Sequence, residues 1–193
     1  MCGIVGIYIK NKKLENNLGS YLSKMIYNMS SRGPDSAGFA IYDRIKNKKL
    51  LKFSLCLPQN IIIKSFIKDI KKKFKDTKTS QLSDHLVVTT SANIKNFKKF
   101  INDNYKDISI VGYGHSIEIF KQVGNPKDVV KKFQLNKFKG THAIGHTRMA
   151  TESAITTNGS HPYSTGQDEC LVHNGSLSNH NNLRRMLIKN GKI

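Results

Sequence analysis

The chain begins Met1-Cys2-Gly3-Ile4-Val5-Gly6-Ile7, and this stretch constrains the fold more than any other. The residue after Met1 is small, which permits removal of an initiator. Cys2 would then carry a thiol and a free α-amine on one residue. A thiol of pKa about 8.5 beside an amine of about 8 exchanges a proton almost evenly. The amine can act as base for its own nucleophile, and a nearby positive charge raises the thiolate fraction. Such a terminus must be held rigid. Residues 2–9 (CGIVGIYI) read as a buried strand that starts at the nucleophile, with glycines that let other backbone approach closely.

At 193 residues the chain fits one domain, or one domain with an insertion. No apolar run approaches the length of a membrane span, and the N-terminus lacks the charged and apolar regions of a signal peptide. Three cysteines, Cys2, Cys56 and Cys170, give an odd count without paired spacing. That argues against a disulfide framework or a zinc site and fits a reducing, cytoplasmic setting. The net charge is +19, and residues 44–140 hold 22 of the 32 basic and 7 of the 13 acidic side chains, hence +15 of it. Arg44 is the only Arg in that segment. Because Arg is the preferred reader of bases and phosphates, nucleic-acid binding is the weakest reading of this charge. A solvated surface or a face for an acidic protein remains open.

Residues 17–30 place Leu18, Leu22, Met25, Ile26 and Met29 at helical spacing. Arg32-Gly33-Pro34-Asp35 breaks that helix, and residues 36–43 and 48–56 read as the two arms of a hairpin. Residues 61–75 form an amphipathic helix with Ile62, Phe66, Ile70 and Phe74 on one face. A strand at 86–92, a helix at 94–104, strands at 108–113 and 116–122 and a helix from Pro126 follow, with Val129, Val130 and Phe133 inward. From Gly140 the composition shifts from Lys to Gly, His, Thr and Asn. Residues 141–150 read as a strand and its exit, 151–168 as loop, 169–173 as a strand, and 179–190 as a helix. Ser178 or Asn179 would cap that helix at its start and Gly191 at its end.

Four pieces carry the chemistry: Cys2-Gly3-Ile4-Val5-Gly6, Arg32-Gly33-Pro34-Asp35-Ser36-Ala37-Gly38, Gly145-His146-Thr147-Arg148-Met149-Ala150-Thr151 and His173-Asn174-Gly175-Ser176-Leu177-Ser178-Asn179. In this order they resemble the glutaminase domain of class II, N-terminal-nucleophile, glutamine amidotransferases. The resemblance covers residues 2–43 and 140–190. The longer wording around Arg32–Tyr42, Gly140–Thr151 and Cys170–Arg185 is similar to stand-alone glutaminase subunits of glutamate-synthase-like complexes, including that of N-methylglutamate synthase. It implies an α+β fold, the four-layer α/β/β/α sandwich of N-terminal-nucleophile hydrolases. Residues 1–56 would be the first part of the glutaminase domain, 57–139 a small Lys-rich α/β insertion, and 140–193 the domain continued.

The resemblance also implies roles. Cys2 would attack the carboxamide of L-glutamine, forming a glutamyl thioester and releasing ammonia, and its α-amine would carry the proton. Asn174 and the Gly175 N–H would hold the oxyanion. Arg148 would grip the substrate α-carboxylate through a bidentate fork that Lys reproduces poorly. Thr151 would line the pocket, and Arg32 would orient the region around the N-terminus. No metal or organic cofactor is implied. Ammonia would pass to a partner synthase subunit.

Position 149 is Met where many relatives carry an aromatic residue, and Arg32 and Arg148 stand 116 positions apart, more than in compact members. The family's Asp for the substrate α-amine lies beyond the Asn-Gly helix and has no match here. The sequence therefore reads as C-terminally incomplete, with part of its core lacking, marginal stability and weak glutamine binding expected. Taken alone, Asn-Gly after a strand reads as a turn, and His146, His173 and His180 as packing or hydrogen-bonding residues. Cys56 and Cys170 read as small buried apolar residues. A catalytically inactive assembly subunit is the competing function, although Cys2, Arg148, Asn174 and Gly175 speak against it.

Overall fold

The computed structural model describes residues 1–150, 154–175 and 178–192. The chain runs through β1 (Gly3–Tyr8), a 3-10 turn (Lys12–Asn17), α1 (Leu18–Asn28), a second such turn (Ser30–Arg32), β2 (Ser36–Tyr42) and β3 (Leu51–Cys56). Then come α2 (Ile63–Lys73), β4 (Lys78–Leu82), β5 (His85–Thr90), α3 (Ile94–Asn104), β6 (Ser109–Gly114) and β7 (Ile117–Val123). After α4 (Pro126–Lys132) and a turn at Leu135–Lys137 follow β8 (His142–Arg148), β9 (Tyr163–Gly166), β10 (Glu169–Leu171) and α5 (His180–Lys189).

Two four-stranded sheets have the orders β1-β8-β2-β7 and β4-β5-β3-β6, and β9 and β10 form a small third sheet. Every pairing is antiparallel. Alternation sends successive strand residues to opposite faces. Ala37, Phe39 and Ile41 of β2 therefore pack with Leu18, Leu22 and Ile26 of α1 and with Val129 and Val130 of α4. Ala40, on the opposite face, packs with Val111, Ile117 and Ile119. In the second sheet Phe53, Leu55, Leu86 and Val88 bury Phe66 and Ile70 of α2 and Phe97 and Ile101 of α3. Each of those four helix side chains contributes on the order of 1.5–3 kcal/mol by leaving water. The layers run helices, sheet, sheet, helices, an α+β arrangement compatible with the expected sandwich. The sheets meet along β7, where Ile119 N donates to Ser54 Oγ at 3.0 Å and Lys52 pairs with Glu118 at 2.6 Å.

Some local expectations change. β2 and β3 form no hairpin: β2 pairs with β7 and β8, and β3 pairs with β5 and β6. β1 is an edge strand with Val5 buried and Ile4 and Tyr8 exposed, so only one of its faces is in the core. Ile62, expected on the buried face of its helix, is 74% exposed because it sits before the first turn. Of residues 57–139, β4, β5 and β6 complete the sheet around β3, and β7 joins the first sheet beside β2.

No residue of α5 is buried, and its Leu183, Met186, Leu187 and Ile188 are exposed. Asn179 occupies its N-cap position without a side-chain capping bond. At the other end Gly191 adopts φ 60°, and Gly191 N and Lys192 N donate to the Ile188 and Leu187 carbonyls, the double closure that favours glycine. Among the described residues no helix is long and apolar enough to cross a membrane.

Candidate active site

β8 organises the site because it pairs with β1 on one side and β2 on the other. Its register sets Thr147 opposite Gly3, Arg148 opposite Ser36, and His146 between Ile4 and Gly38. One residue before Gly3, Cys2 comes level with Arg148. The Cys2 thiol lies 3.8 Å from the Met149 carbonyl oxygen, and the Met1 ammonium donates to Met149 Sδ at 2.9 Å. Cys2 is partly exposed, whereas Arg148 is 8% exposed and donates from Nη1 to Ala154 O at 3.3 Å.

The segment around Arg32-Gly33-Pro34-Asp35 braces the exit of β8. Asp35 N donates to Arg148 O at 3.1 Å, and Asp35 Oδ2 accepts from Ala150 N at 2.7 Å. Met149 is thus clamped from both sides, and with it the carbonyl that meets the Cys2 thiol. A Cβ on Gly33 would come within 2.4 Å of the Thr147 carbonyl carbon and oxygen, so only glycine lets the two backbones approach this closely. Arg32 itself is exposed at the corner, with its backbone N–H on Met29 O. Its guanidinium makes no hydrogen bond or ion pair among the described residues. Thr151 lies outside the described residues.

Asn174 reaches the same end of the sheet. Its Nδ2 donates to Cys2 O at 3.0 Å. His146, 1% exposed, holds the neighbouring His173 carbonyl oxygen with Nε2 at 3.0 Å. Gly175 follows, with the His173 ring the nearest group to where a Cβ would stand. The structure therefore brings Cys2, Arg148, Asn174 and Gly175 to one end of β1 and β8 and leaves Arg32 on the surface.

Beneath the exposed His173–Gly175 segment the surroundings are cationic, with Arg148 and Lys121 both buried. Burial lowers the His146 pKa, and the Arg148 charge adds to this. His161, whose ring lies 4.2 Å from that of His146 and is tilted 44° to it, is pushed down to about 3, by burial first and then by His146, Lys121 and Arg148. Lys121, 3% exposed, donates to the carbonyls of Asn158 and Ser160, and burial lowers it to about 8. Burial raises the thiols of Cys56 and Cys170, which makes both poor nucleophiles. Among the described residues no group of three or more His, Cys, Asp or Glu is arranged to hold a metal.

Two contributors escaped the sequence reading. Asp35 was visible only as part of a motif, and His146 only as a hydrogen-bonding histidine without a named partner.

The chain is 47% identical over 192 residues to the glutamine amidotransferase-like protein GlxB of Rhizobium meliloti, covering 99% of this chain and 64% of the relative. It is 30% identical over 205 residues to a protein named as a glutamine amidotransferase in Methanothermobacter thermautotrophicus, covering 100% of this chain and 67% of the relative. The chain belongs to the class II glutamine amidotransferases. A glutamine–fructose-6-phosphate aminotransferase of Methanococcus maripaludis matches 52% of this amidotransferase chain at 34% identity, over 17% of its own length. No family model matches the chain. The chain spans about two thirds of the length of the first two relatives.

Proposed function

We propose that this chain is the glutaminase part of an amidotransferase with an N-terminal-nucleophile hydrolase fold. In this reading it hydrolyses L-glutamine to glutamate and ammonia through a Cys2 thioester and hands the ammonia to a partner synthase subunit. A glutamate-synthase-like complex, including that of N-methylglutamate synthase, is an assembly whose stand-alone glutaminase subunit the sequence resembles. The observation that carries the reading is the hydrogen bond from Asn174 Nδ2 to Cys2 O at 3.0 Å, at the end of the strand pair that ends in Arg148.

With Met1 removed, the Cys2 amine takes the thiol proton and the thiolate attacks the carboxamide carbon. Negative charge moves to the carboxamide oxygen, where Gly175 N–H and Asn174 Nδ2 donate. An amide nitrogen has two N–H groups, so Asn174 can bond Cys2 O with one and the oxyanion with the other. Collapse breaks the C–N bond, and the protonated amine gives its proton to the departing ammonia. Water, deprotonated by the same amine, then attacks the thioester and releases glutamate and the thiol. The Arg148 guanidinium would take the substrate α-carboxylate, with Thr151 assigned to the same pocket and Arg32 to orienting the region around the N-terminus.

Intact-mass analysis before and after treatment with an electrophilic glutamine analogue tests this reading. Loss of Met1 and one adduct mapped to Cys2 is the expected result, with Cys2→Ala abolishing both the adduct and ammonia release. Ammonia release retained by Cys2→Ala would refute it.

A further inference from the structure

Residues 172–175 belong to no strand or helix, and His173, Asn174 and Gly175 are exposed. Two hydrogen bonds tie this segment down among the described residues. One runs from Asn174 Nδ2 to the Cys2 carbonyl of the β1 end, the other from His146 on β8 to the His173 carbonyl. β1 and β8 are paired neighbours, so the segment is cross-braced to both. The first brace is exposed and the second is anchored in a side chain 1% exposed. The buried brace is the one that fixes where the following peptide lies.

A carbonyl oxygen only accepts, so the His146 contact at 3.0 Å requires a proton on Nε2. Nδ1 is buried and meets no partner among the described residues. A second proton there would be an unsatisfied buried N–H beside the Arg148 cation, so the ring is held as the neutral Nε2–H tautomer. His161 packs against the ring at 4.2 Å between centroids, tilted by 44°. That packing needs Gly38, because a Cβ there would lie 2.2 Å from His161 O.

We infer that His146 is a positioning residue for the oxyanion hole, aligning the Asn174 side chain and the Gly175 N–H through the His173 carbonyl. This rests on the reading of Asn174 and Gly175 as oxyanion donors. A bound carboxamide would feel the loss of His146 in the transition state more than in the ground state, because the α-carboxylate grip of Arg148 is separate from this brace. Gln places its terminal amide at nearly the reach of His Nε2 and should restore the brace, whereas Leu fills the space without donating.

The test joins catalysis to a spectroscopic readout on the protein freed of Met1. In wild type, imidazole 15N spectra should give His146 as the Nε2–H tautomer at neutral pH. An Nδ1–H tautomer would overturn the inference whatever the activity. His146→Leu should lower the kcat for glutamine hydrolysis about 10–100-fold with KM changed less than about threefold, and His146→Gln should recover most of the loss. An unchanged kcat in His146→Leu, or a loss confined to KM, would overturn it. Should the Leu variant not fold, the tautomer and the folded Gln variant, with near-native kcat expected, decide. Asn174→Ala separates the two levels. If it keeps full kcat, the oxyanion reading fails. If it loses kcat while His146→Leu does not, only the inference about His146 fails.

Discussion

The β9–β10 hairpin leads directly into the His173–Gly175 segment, and one carboxylate fastens it to the fold. Asp168 Oδ1 accepts from Ser116 N at 2.7 Å, Ser116 Oγ at 2.8 Å and Ile117 N at 3.1 Å, and Oδ2 accepts from His115 N at 2.9 Å. These donors line the turn between β6 and β7. The perturbation of choice is Asp168→Asn, because Asp168 sits at φ 57° and Asn tolerates that backbone far better than Ala. Asn keeps an acceptor at Oδ1 but loses the charge, and its amide faces the His115 N–H as a second donor. A hydrogen bond to a charged group contributes about 1.5–3 kcal/mol and a neutral one about 1. Weakening three bonds and losing one would cost about 4 kcal/mol if dry, and solvent at this half-buried site reduces that to about 2 kcal/mol. Burial alone would raise the Asp168 carboxyl, but the donors of His115, Ser116 and Ile117 outweigh it and hold the pKa below 3.8. A group depressed in the folded state stabilises above its unfolded pKa and loses that contribution as pH falls through the folded one. Urea unfolding at pH 7 should therefore give Asp168→Asn about 2 kcal/mol less stability than wild type, and the gap should shrink as pH falls below about 3.8. A difference under about 0.5 kcal/mol at pH 7, or a gap that persists in acid, would refute the reasoning.

Asp35→Ala removes the clamp on Ala150 N and should cut glutamine turnover about tenfold or more while costing only about 1–2 kcal/mol of stability, read by steady-state kinetics beside thermal unfolding. Lys121 gives a second pH signature, of the same sense as Asp168 but in the alkaline range. Below about pH 8 it is charged in both folded and unfolded chains, and between about 8 and its ordinary 10.5 the unfolded chain holds the extra proton. Wild type should therefore gain about 2 kcal/mol relative to Lys121→Met between pH 8 and 10, a window that closes as the unfolded chain loses its proton near 10.5. A flat difference across that window would remove Lys121 as the cause.

Helices were the legible part of this fold. Periodicity in a helix is local, so Ile94–Asn104 and the Leu18–Leu22–Ile26 stripe follow directly from spacing. Strand partners are not local. The polar stretch after Tyr42 reads as a hairpin turn, yet Ser36 pairs with Val123 and Arg148, which no window around residue 36 contains. β4 went unseen because Lys78–Leu82 is a half-exposed edge strand without an apolar alternation, and β9 lay within a stretch read as loop. At the site, the motifs named Cys2, Arg148 and Asn174, but motifs do not reveal braces. Asp35 acts through backbone groups 113 and 115 positions away, and His146 through a carbonyl 27 away.

The pairing of β1 with β8 also sets a timetable. Tyr8 meets His142 and Gly3 meets Thr147, so the strand that carries Cys2 waits for 134 or more further residues before its partner exists. At about 5–20 residues per second, synthesis leaves that strand unpaired for roughly 7–27 s. On the proposed reading, Cys2 is throughout that interval a thiol on an open chain with no glutamine site beside it, since neither Arg148 nor Asn174 has yet been made. On that reading, removal of Met1 and assembly of the site are separated in time by the order of the strands.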